Sequence, residues 1–284
     1  MTVTPTFGQP GDEDLGDDRP ETWAMQFFTS LALPTGFGPA EKLHPWKALV
    51  ALDVVQIPWL SEEERRVGFN GTKVEDLNHA PVVARPNLTI GLPGDWTVSF
   101  AYVPPVRAFD LRTDLYGMSV QKSFLRDGPW QAGLRAFAQY ARVRGTFTCT
   151  REAVEAGDDP VGNPFGCEAC SNDTVRMRVA RLEVALAYRL ERFHRLTPFA
   201  TASWQNMDID FEVDALRSGS RDHRYLKAET QSWIFSAGAR LPIGTRWTFA
   251  AAVLHAPIDV LRPGQGKPRD EGVTTLSTQL SCFF

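Results

Sequence analysis

The sequence predicts an all-β protein, an antiparallel up-and-down transmembrane β-barrel of about ten strands, within roughly 8–12, with a short N-terminal segment plugging the lumen. Three observations carry this. First, Gln231–His255 reads as two period-two runs around a Pro242/Gly244 turn: Trp233, Phe235, Ala237, Ala239 and Leu241, then Trp247, Phe249, Ala251 and Val253. One face is wholly apolar and the other mostly small or polar, as when a strand shows lipid one side and a lumen the other. Second, the pattern recurs along the chain, with short turns alternating with longer, more charged connections. Third, Trp46, Trp96, Trp130 and Trp247 each follow a connection assigned to the same side. An indole has an apolar body and one N–H donor, which suits headgroup level.

Met1–Pro20 is acidic and rich in Pro and Gly, without a basic start or an apolar run, and reads as a disordered acidic leader. Residues 21–45 read as a plug-like segment and connector. In Glu21–Leu33, Trp23, Phe27, Ser30 and Leu31 share a helical face and Arg19-Pro20-Glu21 could start a helix, although a strand is the other reading. The count separates them: the strands from Trp46 onward already make an even set, so one more would leave the wall starting on the wrong side. Residues 46–284 are then the barrel. Runs begin at Trp46, Val82, Trp96, Tyr116, Trp130, Ala180, Leu196, Gln231, Trp247 and Val273. Short turns fall at 92–95, 126–129, 190–195 and 241–246, a short rim connection at 104–112, and longer connections at 58–79, 149–173, 208–225 and 262–270. Tyr102, Tyr140, Trp204 and Trp233 fall near the opposite strand ends and would complete a second aromatic girdle.

Hydrophobic content is 43% and mean hydropathy −0.23. Those values alone look like a soluble protein, but they do not exclude a membrane barrel, because only alternate residues meet lipid. No apolar run reaches the ~18 residues of a transmembrane helix. A net charge of −4 argues against nucleic acid as a partner.

The closing residues, Leu280-Ser281-Cys282-Phe283-Phe284, resemble the signal read by the outer-membrane assembly machinery, with Phe284 its terminal aromatic. From about Leu43 to Phe284 the chain resembles uncharacterised outer-membrane β-barrel proteins of Gram-negative bacteria. The likeness rests on GTKVEDLNHAPVVARPNLTIGLPGDW, NPFGCEAC and the closing strand. It implies the fold, the bacterial outer membrane as location, and outer-membrane lipid and the assembly machinery as partners. It implies no activity.

The lumen face would carry Asp53, Arg85, Arg135, Arg181, Glu183, Arg189 and Arg240. Charges inside a barrel must pair or meet water. They are either a salt-bridge ladder or a solute path preferring anions. Cys167-Glu168-Ala169-Cys170 could suggest zinc, but Cys149 is the only obvious further ligand, so no metal or cofactor is expected. Outside the cytosol a disulfide fits better, Cys149–Cys167 first and Cys149–Cys170 second. His223, Asp222, Asp208 and Asp210 could serve a hydrolase at the rim. Loops are ordinarily rich in such residues, so no enzyme is expected. The expected function is passive passage or binding of a small solute. A closed structural or surface-binding barrel is the alternative, and a rim hydrolase the third reading.

Overall fold

A computed structural model describes residues 12–32, 36–40, 43–78, 80–124, 128–193 and 195–284. Ten strands form the wall: β1 (Ala48–Gln56), β2 (Val82–Leu92), β3 (Trp96–Val103), β4 (Leu111–Phe124), β5 (Trp130–Gly145), β6 (Asp173–Tyr188), β7 (Thr197–Arg217), β8 (Ser220–Ile243), β9 (Trp247–Ala256) and β10 (Val273–Phe283). Each pairs antiparallel with its sequence neighbours. β10 pairs with β1, for example Gln279 opposite Asp53, which closes the barrel. The wall begins and ends on the side of the short turns, taken as periplasmic. There the Phe284 N–H donates to the Ala48 carbonyl at 2.9 Å.

The outer surface is apolar where it faces lipid: Val50, Leu52, Phe100, Met118, Leu134, Leu182, Val184, Phe235, Val253 and Leu276 all project outward. Trp96, Trp130 and Trp247 are the first residues of β3, β5 and β9, and Trp46 stands just before β1 with φ 69°. Higher on the wall, Trp204 lies directly opposite Trp233, and Tyr102 opposite Tyr116, which in turn faces Tyr140.

Inside, polarity changes along the axis. The periplasmic half of the lumen is lined by Asp53, Arg85, Gln121, Arg135, Arg181, Glu183 and Arg240. The outer half is lined by Leu115, Ala141, Met177, Val179, Met207, Ile209, Ile234 and Leu254. Above the membrane the wall behaves as a soluble sheet, apolar inward and charged outward. This corrects the loop expected at 208–225. Those residues belong to β7 and β8, which pair continuously from Thr197↔Arg240 to Arg217↔Ser220 around a turn at Ser218-Gly219. Met207, Ile209, Phe211 and Val213 point in, while Asp208, Asp210, Glu212 and Asp214 point out. β6 likewise starts at Asp173 and not near Ala180.

The apolar upper lumen holds helix α1 (Pro20–Ala32). Pro20 suits the first helical position, its missing N–H needing no partner there, and Glu21 favours the positive helix start. Trp23, Ala24, Met25, Phe27 and Leu31 are buried on several faces, as a fully enclosed helix requires. Trp23, Phe27 and Leu31 pack on Val55, Leu60, Leu77, Ile258, Val260 and Val273, while Met25 meets the wall cluster around Met177 and Met207. The helix starts near the outer rim, where the Trp23 indole N–H donates to the Glu271 carbonyl at 2.9 Å. It ends near mid-barrel, where the Arg85 Nη1 donates to the Ala32 carbonyl at 2.7 Å.

The leader is not disordered through Pro20. Glu13–Asp14 pairs in parallel with Leu226–Lys227 of β8, and the Leu15 N–H donates to the Lys227 carbonyl at 2.8 Å. The expectation for residues 1–11 lies outside the described residues. The described parts of 12–45 therefore run from the outer rim to the periplasmic rim, where the Trp46 N–H meets the Gly91 carbonyl at 2.7 Å.

The facing of β8 gives a direct test. Ala237 points to lipid, whereas Ser236 is buried inside and shares a 2.7 Å hydroxyl contact with Thr201. Ala237→Leu is expected to be neutral in vesicles. Ser236→Leu is expected to cost about 1–3 kcal/mol by overpacking. Ala237→Arg near the midplane should cost about 2–4 kcal/mol. Urea titration of folded barrels checks all three, and equal effects of the two leucines would contradict the facing.

Candidate functional site

Two regions gather functional groups: the polar lower lumen and a cavity at the outer end. In the lower lumen, Arg85 pairs with Asp53 at 3.3 Å, and Gln279 donates to the other Asp53 oxygen at 2.8 Å. Arg135 pairs with Glu183 at 3.0 Å and donates through Nε to Gln121 at 2.7 Å. Arg181 donates to Gln205 at 3.3 Å and lies over the Phe137 ring. Arg240 donates to Gln131 at 3.0 Å. Arg189 departs from the set. It lies at the β6–β7 turn, half-buried, and pairs with Glu191.

These arginines also hold the threaded chain. Arg85 donates to the Ala32 carbonyl, Arg135 to the Gly38 carbonyl at 3.0 Å, and Arg240 to the Pro39 carbonyl at 2.7 Å. A non-helical chain inside a barrel has carbonyls with no ladder to join. The luminal guanidinium groups supply the donors. The approach is closest at Gly36, where a Cβ would lie 2.0 Å from Glu183 Oε1 and 2.2 Å from Arg135 Nη1, so a larger residue would displace that ion pair. Beside the connector, a space of about 100 Å³ lies among Asn87, Thr89, Ser99 and Ser119. The connector backbone and these arginines fill the middle of the lower lumen, which widens to a space of about 450 Å³ at the periplasmic mouth among Pro39, Gln131, Arg189, Arg240 and Thr248.

The second region is a cavity of about 330 Å³ above α1. Met25 and Phe28 of the helix, Phe147, and Val175, Phe211, Val213 and Leu226 of the wall line it. Val67, Phe69 and Leu77 of the β1–β2 connection close it. Phe147 sits between Phe28 at 6.4 Å and Phe211 at 6.1 Å between ring centroids. Charged residues also line it: Glu13, Arg19, Glu21, Glu75, Asp222 and Arg224. Arg19 pairs with Glu21 at 3.2 Å, and Arg224 with Asp222 at 2.7 Å. The Glu75 carboxyl pairs with Lys73 at 2.7 Å, yet burial pushes its pKa up to about 7.

The closure is strained. Phe69, Asn70 and Gly71 have φ values of 48°, 57° and 78°. The left-handed region costs a bulky L residue roughly 1–2 kcal/mol. Contacts hold it there: Phe69 stacks on Phe165 at 5.0 Å, the guanidinium groups of Arg217 and Arg224 lie 5.0 and 5.7 Å from its ring centre, and the Asn70 N–H donates to Glu21. Asn70-Gly71 is a turn-forming pair in the sequence. Phe69 and Phe165 are far apart in the chain, so their meeting was not legible.

The β5–β6 loop that carries Phe147 and Phe165 is tied by a Cys149–Cys167 disulfide. Cys170 is a free, exposed thiol, and Cys282 is free on β10. The Asp173 carboxylate accepts from the Thr148 N–H at 2.6 Å, the Ser171 hydroxyl at 2.7 Å and the Asp214 N–H at 3.0 Å, fixing the loop base. Peptide mapping without reduction is expected to recover Cys149 joined to Cys167, and Cys149→Ser to cost about 3 kcal/mol. Free thiols, or Cys149 joined to Cys170, would contradict this arrangement.

The four residues of the rim-hydrolase reading are not brought together. His223 and Asp222 are adjacent in β8 and point to opposite faces. His223 faces outward, 3.4 Å from Glu212, and Asp208 is held outside by Arg178 at 2.8 Å. Asp222 faces the cavity edge between Arg217 and Arg224. Among the described residues, no group of three or more His, Cys, Asp or Glu side chains could hold a metal ion.

No family model matches the chain, and no curated protein matches it. Several solved structures are similar. The translocator domain of the autotransporter NalP from Neisseria meningitidis aligns over 94% of this chain and 98% of its own, at 8% identity and TM-score 0.47. The outer membrane protease OmpT from Escherichia coli aligns over 84% and 92%, at 10% identity and TM-score 0.45. LpxR from Salmonella typhimurium aligns over 83% and 100%, at 9% identity and TM-score 0.36. At these identities the likeness concerns the fold and nothing finer. The closed antiparallel wall, its lipid-type surface and its aromatic residues are those of an integral β-barrel protein of the bacterial outer membrane.

Proposed function

We propose that this barrel binds a small, largely apolar solute in the cavity above α1, and that the filled lower lumen keeps it closed to free passage. The observation that carries this reading is the cavity itself. About 330 Å³ lined by Met25, Phe28, Phe147, Phe211 and Val213, together with paired charged residues, lies within the size range of ligand sites, and its mostly apolar lining matches their usual chemistry. Of the two parts of the expected function, the packed connector supports binding over passage. The separation of His223 from Asp222 supports a binding role over a catalytic one. The C-terminal strand ending in Phe284 is the part proposed to meet the assembly machinery.

The test is fluorescence titration of the reconstituted barrel with 1-aminoanthracene, an apolar probe, in wild type and in Val213→Trp, which fills the cavity. Saturable binding is expected in the wild type and its loss in the variant. Signals that match each other and empty vesicles would refute the reading.

A further inference from the structure

We propose that the outward face of β4 and β5, immediately above the tyrosine row, is a binding site for the phosphorylated headgroup of an outer-leaflet lipid, with Arg112, Arg142 and Arg144 as the phosphate ligands. This site is separate from the solute cavity and does not depend on it. Tyr102, Tyr116 and Tyr140 stand directly opposite one another on β3, β4 and β5, all facing outward. The first two rings lie 4.9 Å apart. Tyrosines on the lipid face mark the level where hydrocarbon gives way to headgroups. The next outward positions place Asp114 opposite Arg142, and the next again place Arg112 opposite Arg144. At ~3.4 Å per residue these rows lie about 7 and 14 Å along the strands from the tyrosines. Adjacent strands are ~4.8 Å apart, so the three guanidinium groups can converge on one anion.

The neighbouring arginines are already committed. Arg176 pairs with Glu212 at 2.7 Å, and Arg178 with Asp208 at 2.8 Å. Arg112 donates through Nε only to the Pro105 carbonyl, at 3.2 Å. Arg142 Nε is shielded from solvent and has no hydrogen-bond partner, and neither Arg142 nor Arg144 has an ion pair among the described residues. Asp114 Oδ1 is likewise shielded and unbonded. The patch therefore holds three cations to one carboxylate and lacks the anion that would complete it. Guanidinium forks bind phosphate through two parallel N–H donors. The side chains project sideways from the wall, in line with the lipid-facing Leu134 and Ala138. The phosphate that reaches that height from that direction is a headgroup.

The experiment is native mass spectrometry of the barrel released from nanodiscs made of equal parts dioleoyl phosphatidic acid and dioleoyl phosphatidylcholine. Retained phosphatidic acid is expected to exceed phosphatidylcholine on the wild type. The preference should be lost in the Arg112→Gln/Arg142→Gln/Arg144→Gln variant and kept in Arg178→Gln. Heat modifiability in gels reports folding, and Arg142→Gln alone serves if the triple variant does not fold. Equal retention of the two lipids by the wild type would overturn the proposal. So would a preference that survives the substitutions, or displacement of the lipid by inorganic phosphate, which would make the site one for free anions.

Discussion

Removal of residues 1–40 is expected to leave a foldable ten-strand wall and turn a closed barrel into a conducting one. None of the ten wall strands lies in that segment, and β1 still closes on β10 without it. What leaves is α1 and the connector, and with them the backbone carbonyls that Arg85, Arg135 and Arg240 serve. Those arginines would turn to water. In the lower lumen Arg85, Arg135, Arg181 and Arg240 outnumber Asp53 and Glu183, so the opened path should favour anions. Planar-bilayer recording checks this. A full-length barrel near baseline and a shortened one with steady anion-preferring current is the expected pair. A folded, non-conducting variant would mean that wall side chains alone close the lumen. Loss of folding would mean that the wall needs the helix.

Asp53→Ala is expected to be the most damaging single substitution in the lower lumen, at about 3–5 kcal/mol. Asp53 and Arg85 are both almost fully buried, and Asp53 also accepts from Gln279. The substitution leaves the Arg85 charge in a water-poor site without this carboxylate, and Arg85 in turn holds the end of α1 through the Ala32 carbonyl. Asp53→Asn, which keeps the size and the contact with Gln279, should cost less. Urea unfolding in vesicles checks the order. Equal stability of Asp53→Ala and wild type would show that the site is hydrated. The exposed pair Arg107–Asp110, 3.0 Å apart on the rim, is the control and should contribute at most about 1 kcal/mol.

The wall was legible where lipid meets it, because lipid forces apolar residues outward at every second position. Trp96, Phe235, Phe249 and Val253 could be placed from the chain alone. Above the bilayer the same alternation reverses its meaning. Asp208, Asp210, Glu212 and Asp214 face water while Met207, Ile209, Phe211 and Val213 pack inside, and a reading tuned to a lipid-facing strand takes such a run for a loop. The luminal arginines were legible as inward charges. Their partners were not, since half of the partnership is a backbone carbonyl, which carries no sequence signal. The cavity was illegible for a further reason. Phe28, Phe69, Phe147 and Phe211 come from four separate segments, and only the closed fold brings them near one another.

The described parts of residues 12–45 thread the lumen from outside to inside. Impermeant maleimide labelling of intact cells tests it most directly, using a Cys170→Ser, Cys282→Ser background that removes the free thiols. Asp12→Cys lies beside Lys227 on the outer part of β8, and Thr245→Cys lies in the β8–β9 turn. Labelling of Asp12→Cys on intact cells, with Thr245→Cys reached only after the outer membrane is permeabilised, is the predicted result. Labelling of Thr245→Cys on intact cells, or protection of Asp12→Cys until permeabilisation, would contradict the threaded barrel.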